Sequence, residues 1–150
     1  MKVFEGLEQV EAAIGQHVGY SDWMEITQER IDAFADATGD HQWIHIDPAR
    51  AAEGPYGRTI AHGYLTLSLL PVLGAEIMEI RGFRMMINYG VDKVRFPAPV
   101  PVGSRIRAGI ELTSLERKSA GVQLGSLVTV EVEGSDRPAV VAETVRMMVE

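Results

Sequence analysis

Residues 62–80 read HGYLTLSLLPVLGAEIMEI, apolar on nearly every side of a helical wheel and broken by scattered Thr66, Ser68, Pro71 and Glu76. A helix that is apolar all round belongs inside a protein. The segment also falls short of the ~18 consecutive apolar residues of a membrane span. It is therefore expected to form a long helix from about His62 to Ile80, with Pro71 kinking it. So apolar a helix needs a wrapping, and the sequence on either side must supply it.

Downstream, Ile106, Ala108, Ile110 and Leu112 alternate with mostly polar partners, as do Val128, Val130 and Val132. That period of two marks half-buried strands. A third run, Met85, Ile87, Tyr89 and Val91, changes phase to Val94 and Phe96 across Asp92-Lys93, as an inserted bulge residue would cause. Val140 to Val149 forms a fourth. The connections are short, Glu133 to Arg137 among them, so neighbouring strands are expected to pair antiparallel. Proline cannot donate to a strand ladder, so Pro97 to Gly103 is an edge or a connection.

Upstream, Gly6 to Ile14 carries Leu7, Val10 and Ile14 on one helical face, and a strand is expected around His17 to Met24. Thr27 can cap a helix whose Ile31, Phe34, Ala35 and Thr38 share a face and which stops at Gly39. Asp47-Pro48 opens another short helix. The pattern is α+β, a long central helix wrapped by a curved antiparallel sheet, with one domain across residues 1–150.

Composition narrows the function. The 150 residues contain no Cys, which excludes disulfides, thiolate metal sites and Cys nucleophiles. A formal charge of −7 disfavours nucleic acid and anionic lipid as partners. The amino terminus alternates charged and apolar residues, unlike a secretory signal, so a cytoplasmic location is expected.

The densest group of ionisable side chains lies in Asp40-His41-Gln42-Trp43-Ile44-His45-Ile46-Asp47, expected to be a loop between two helices. Asp40 and His45 can together activate a water molecule and shuttle its proton. The same spacing also fits an Asp that ends a turn and a His packed in a niche. His41, His45 and Asp47 are possible metal ligands, but a loop start at Gly39-Asp40 and the following Pro48 oppose the helix that would align them, so no metal is expected and His41 is read as solvent-facing. At the start of the apolar helix, His62-Gly63 offers unpaired amides and close backbone approach, suited to an oxyanion. It equally fits relief of crowding, with His62 bonded locally. Asn88 on the third strand run can orient a carbonyl, and Arg84, Lys93 and Arg95, together with Arg81, can meet phosphate. Ordinary cross-strand pairing is the competing reading for each.

These segments together resemble the MaoC-like dehydratase family, which includes the R-specific enoyl-CoA hydratases and the nodulation protein N-like proteins. The resemblance spans nearly the whole chain. It rests on Gly39-Asp40-His41-Gln42-Trp43-Ile44-His45 with the small residue Ala51, on Ala61-His62-Gly63-Tyr64-Leu65 and on Ile87-Asn88-Tyr89-Gly90. Gln42-Trp43 stands where most of the family has Asn-Pro, as in the nodulation protein N-like branch, and Trp43 is expected to reshape the pocket.

The resemblance implies a hot-dog fold, a homodimer and reversible hydration of a trans-2-enoyl thioester of coenzyme A or acyl carrier protein. Asp40 and His45 would be catalytic. Gly63 would supply the oxyanion donor, Ser68 would help to position the catalytic groups, and His62 and Asn88 would belong to the substrate site. No cofactor is expected, coenzyme A being part of the substrate. Thioester hydrolysis and a non-catalytic acyl-thioester-binding subunit are the alternatives the same fold leaves open.

Overall fold

The computed structural model describes residues 1–150. In chain order the elements are β1 (Lys2–Glu5), α1 (Leu7–Ala12), β2 (His17–Tyr20), β3 (Met24–Glu25), α2 (Gln28–Thr38), α3 (Trp43–Ile46), α4 (Pro48–Ala52), α5 (Gly63–Ser68), α6 (Leu70–Ile77), β4 (Met78–Arg81), β5 (Met85–Arg95), β6 (Arg105–Lys118), β7 (Gly121–Val132) and β8 (Val140–Val149). The main sheet runs β2-β6-β7-β8-β5 with β3 added against β6, and every pairing within it is antiparallel. It is a curved, open sheet around a helix: the hot-dog fold.

Alternation along the strands makes the core. On β7, Val122, Leu124, Ser126, Val128, Val130 and Val132 are buried while the residues between them are half-exposed. Ile106, Ala108, Ile110 and Leu112 are likewise buried on β6, with Arg107 and Glu111 half-exposed between them, and Leu70, Leu73 and Ile77 of α6 meet them in one apolar cluster. Burial of each such side chain stabilises the fold by roughly 1.5–3 kcal/mol. The helix is thus enclosed by the surface that its own composition demands.

The central helix is broken beside Pro71, where a kink was expected, and its end differs from expectation. It is interrupted at Leu69, with Pro71 in the first turn of α6. Pro71 has no N–H for the carbonyl of Leu67 and its ring crowds that carbonyl, which produces the break. The helix also ends at Ile77, not Ile80, because Met78–Arg81 pairs in parallel with Lys2–Glu5. That amino-terminal strand went unforeseen, although Met78 and Ile80 alternate with Glu79 and Arg81; the ladder forms only because Phe4, 1% exposed, anchors its partner in the core.

Elsewhere the readings hold with adjusted ends. Thr27 caps α2 by accepting from the Arg30 amide at 3.2 Å, and Gly39 ends it with φ of 81°. Asp47 caps α4 by accepting from the Arg50 amide at 3.0 Å. The register of β5 against β8 shifts between Val91 and Lys93, the bulge inferred from the phase change, and shifts a second time between Asn88 and Gly90. The segment 40–47 is not wholly a loop: the Asp47 amide bonds the Trp43 carbonyl at 3.1 Å and closes the helical turn α3. No helix is long and apolar enough to cross a membrane.

Candidate active site

The left-handed Gly39 turns the chain out of α2 directly into Asp40. The Asp40 carboxylate is exposed and accepts from the Gln42 amide at 3.3 Å. One turn of α3 then carries His45 inward, where it is 6% exposed. Gln28 of α2 secures that turn, donating from Nε2 to the His45 carbonyl at 2.7 Å and accepting from the Thr59 hydroxyl. So the catalytic candidates sit on a short segment braced from two sides.

The proton positions follow from the acceptors. His45 Nδ1 lies 2.7 Å from the Ile60 carbonyl, which can only accept, so Nδ1 carries hydrogen and the neutral ring keeps its lone pair on Nε2. His62 Nε2 likewise donates to the Asp40 carbonyl at 3.0 Å, and its Nδ1 is buried with no partner in the chain. The two imidazoles stack, centroids 3.8 Å apart, with Phe34 against the outer ring. Burial holds the His45 imidazole below its ordinary pKa of 6.5; the Ile60 carbonyl opposes this, His62 adds to it, and Asp40 opposes it. At neutral pH His45 is therefore a base with a free lone pair.

One donor atom each from Asp40, His45 and His62 lies within 4.8 Å of the others. That separation lets a single water touch a carboxylate and an imidazole together. It would also accept a divalent cation, through His62 and Asp40 rather than through the His41 and Asp47 considered from the sequence. Asp47 is occupied as a helix cap, and His41 faces solvent with its Nε2 2.9 Å from Asp36, which raises its pKa.

Beside this group lies a cavity of about 340 Å³ lined by His45, Ile60, Gly63, Thr66, Phe96 and Val100, among others. Gly63 is the first residue of α5, and its amide has no acceptor within the chain. A β-carbon there would come within 3.0 Å of the Phe96 ring. Only glycine fits without displacing that wall.

The other sequence candidates lie apart from the cavity. Ser68 is exposed on α5, donates to the Tyr64 carbonyl at 2.6 Å and lines a neighbouring groove together with Asn88. Thr66, 1% exposed, occupies the corresponding place in the cavity itself and was not singled out from the sequence. Trp43 packs against Gly54 and under the Arg50 guanidinium, outside the cavity it was expected to reshape. Arg84, Lys93 and Arg95 are exposed on or just before β5, whereas Arg81 is bound to Glu5 and Glu79. The wall residues Phe96 and Tyr56 carried no signal in the sequence, because they reach the cavity from turns and strand ends distant along the chain.

The sequence profile of the MaoC like domain matches residues 9–134. The chain belongs to the MaoC-like family. It is 57% identical over 146 residues to 3-hydroxyacyl-thioester dehydratase Z of Mycobacterium tuberculosis, covering 97% of both chains. Nodulation protein N of Rhizobium leguminosarum is 46% identical over 145 residues, with 95% of this chain and 90% of that protein covered. Among solved structures, the (R)-hydratase of Aeromonas caviae superposes with a TM-score of 0.74 at 26% identity, over 90% of this chain and 96% of that one. The MaoC-like chain is thus an enzyme of the hydratase and dehydratase class of lyases, and the hot-dog fold foreseen from its sequence is that of these relatives.

Proposed function

We propose that the protein catalyses reversible hydration of trans-2-enoyl thioesters, enoyl-CoA in particular, to (3R)-hydroxyacyl thioesters. The observation that carries this reading is the convergence of the Asp40 carboxylate and the His45 imidazole within 4.8 Å, beside the cavity onto which Gly63 opens. Gly63 would donate its amide to the thioester oxygen, drawing electron density from the β-carbon. Water held between Asp40 and His45 then adds its oxygen to that carbon. One of the two takes the water proton, with Asp40 leading as base, and that same proton is then returned to the α-carbon, so the count balances without a proton held beforehand. His62 holds Asp40 by its backbone and His45 by stacking.

The R configuration is supported by the Aeromonas caviae relative, and the dehydration direction by the Mycobacterium tuberculosis one. The thioester itself supplies the acidity of the α-carbon, so the reaction needs neither metal nor cofactor; full activity after chelator treatment is the expected result. Exposed Arg84, Lys93 and Arg95 are suited to the phosphates of coenzyme A or to an acyl carrier protein. We further propose a homodimer through β5, whose outer edge is unpaired and exposes Met85, Ile87, Tyr89 and Val91.

The deciding experiment is turnover of crotonyl-CoA, followed by loss of the enoyl ultraviolet absorbance, with wild type, Asp40→Asn and His45→Gln. Each substitution should lower kcat roughly 10²–10⁴-fold without altering the fold. Near-normal turnover in either variant removes that residue from the mechanism. Release of free thiol instead of hydration would assign the site to thioester hydrolysis.

A further inference from the structure

Two helical hydroxyls of this chain are satisfied by the turn before them. Thr38 donates to the Phe34 carbonyl at 2.8 Å and Ser68 to the Tyr64 carbonyl at 2.6 Å, each four residues back. Thr66 breaks the pattern. The carbonyl four residues before it, that of His62, already accepts from the amides of Leu65 at 3.0 Å and of Thr66 itself at 3.2 Å, which occupies both of its lone pairs. The Thr66 hydroxyl thus makes no hydrogen bond within the chain, although the residue is only 1% exposed.

That hydroxyl is not sealed. Two side-chain polar atoms are enclosed without a partner, His62 Nδ1 and Ser126 Oγ, and the Thr66 oxygen is not one of them; the residue lines the catalytic cavity, and the little surface it keeps opens there. Its place on the helix sets its aim. Thr66 follows Gly63 by three residues, so the two are neighbours on one face of α5, and helical side chains lean towards the amino-terminal end of their own helix. The hydroxyl therefore lies over the turn at which the Gly63 amide is free. Much of the remaining wall, Ile60, Phe96, Val100 and Ala139, is hydrocarbon and offers it no side-chain acceptor. An unpaired donor held in such a place costs stability until a ligand oxygen accepts from it.

We propose that Thr66 is a second oxyanion donor, its hydroxyl sharing the thioester carbonyl oxygen of the substrate with the Gly63 amide. This rests on the thioester-hydratase reading of the cavity and adds a catalytic residue to it. A carbonyl oxygen has two lone pairs, and two donors from one face of one helix meet it at both. The attacking water stays with Asp40 and His45. As that water adds to the β-carbon and negative charge gathers on the thioester oxygen, both hydrogen bonds strengthen, which lowers the barrier while the Thr66 hydroxyl keeps its proton throughout.

The test compares Thr66→Val, which keeps the shape and removes the hydroxyl, with Thr66→Ser, which keeps the hydroxyl. Thr66→Val should lower kcat for crotonyl-CoA roughly 10²-fold with a smaller change in KM, and Thr66→Ser should recover most of the rate. Thermal unfolding separates this role from packing: removal of an unpaired buried hydroxyl should leave the Tm of Thr66→Val unchanged or higher. A lower Tm, or failure of Thr66→Val to fold, makes the hydroxyl structural and overturns the proposal, as does a near-normal rate. Infrared difference spectra of bound crotonyl-CoA, isotopically labelled at the thioester carbonyl, give a readout that needs no turnover. The carbonyl band should fall in frequency on binding to wild type and fall less in Thr66→Val; an equal fall in both, or none in wild type, overturns the proposal. If wild type lowers the band without hydrating crotonyl-CoA, the hydratase reading fails, and the comparison of the two spectra still decides whether Thr66 donates to the thioester.

Discussion

Nε2 of His62 reaches the backbone carbonyl of Asp40 at 3.0 Å while the same ring lies stacked on His45. One buried side chain thus ties the two catalytic candidates to the start of α5, where the Gly63 amide is presented. The Asp40 carboxylate itself stays exposed and free to bind water.

His62→Phe keeps a ring in the stack but removes the bond to Asp40 and the unpartnered Nδ1. Crotonyl-CoA turnover should fall roughly tenfold to a hundredfold, the scale set by small displacements of catalytic groups. Because His62 contributes to lowering the His45 pKa, the acid limb of the pH profile should move upward in this variant. A fall in rate with no movement of that limb would leave His62 a packing residue.

The pH dependence of wild type carries its own expectation. The folded-state pKa of His45 is depressed below the ordinary 6.5, so the ring stays neutral in the folded protein at pH values where the unfolded chain has already bound a proton. Stability is then fully present above pH 6.5 and declines as the pH falls from there towards the folded value. Urea denaturation between pH 5 and 8 should show this slope, flattened in His45→Gln. The acid limb of kcat/KM should likewise fall below pH 6.5, where His45 loses its lone pair to a proton.

Gly63→Ala drives a methyl group into the Phe96 ring, 3.0 Å away. Loss of activity of roughly tenfold or more is expected, with destabilisation of about 1–3 kcal/mol from overpacking. Adding Phe96→Leu should relieve the crowding and recover stability. Persistent loss of activity in the stable double variant would trace the defect to the approach of substrate to the amide.

The unpaired edge of β5 makes the quaternary prediction. Ile87→Lys together with Tyr89→Lys puts two charges on exposed positions of that strand, 43% and 66% accessible in the isolated chain. Light scattering should show a dimer for wild type and a shift to monomer for the variant. An unchanged dimer would place the interface on another surface.

Much of this architecture was legible from periodicity. The two-residue alternation on β6 and β7 and the all-round apolar character of residues 62–77 are consequences of facing one core, so they survive in a linear reading. The cap residues Thr27 and Asp47 act within three residues of themselves, and they too were found where the pattern indicated. By contrast, the parallel pairing of β1 with β4 joins residues more than seventy positions apart, and neither strand has a local cue strong enough to announce it. The site divided along the same line. Asp40, His45 and His62-Gly63 stood out as residue types near turns and helix starts, whereas Thr66 and Phe96 reach the cavity only because α5 and the end of β5 are folded together.

Composition and spacing alone limited this protein to an α+β architecture, free of cysteine chemistry, with an acid and an imidazole near the head of an enclosed helix. The folded chain decided which nitrogen of each histidine is free, because that depends on the carbonyls of Ile60 and Asp40, brought there from other segments.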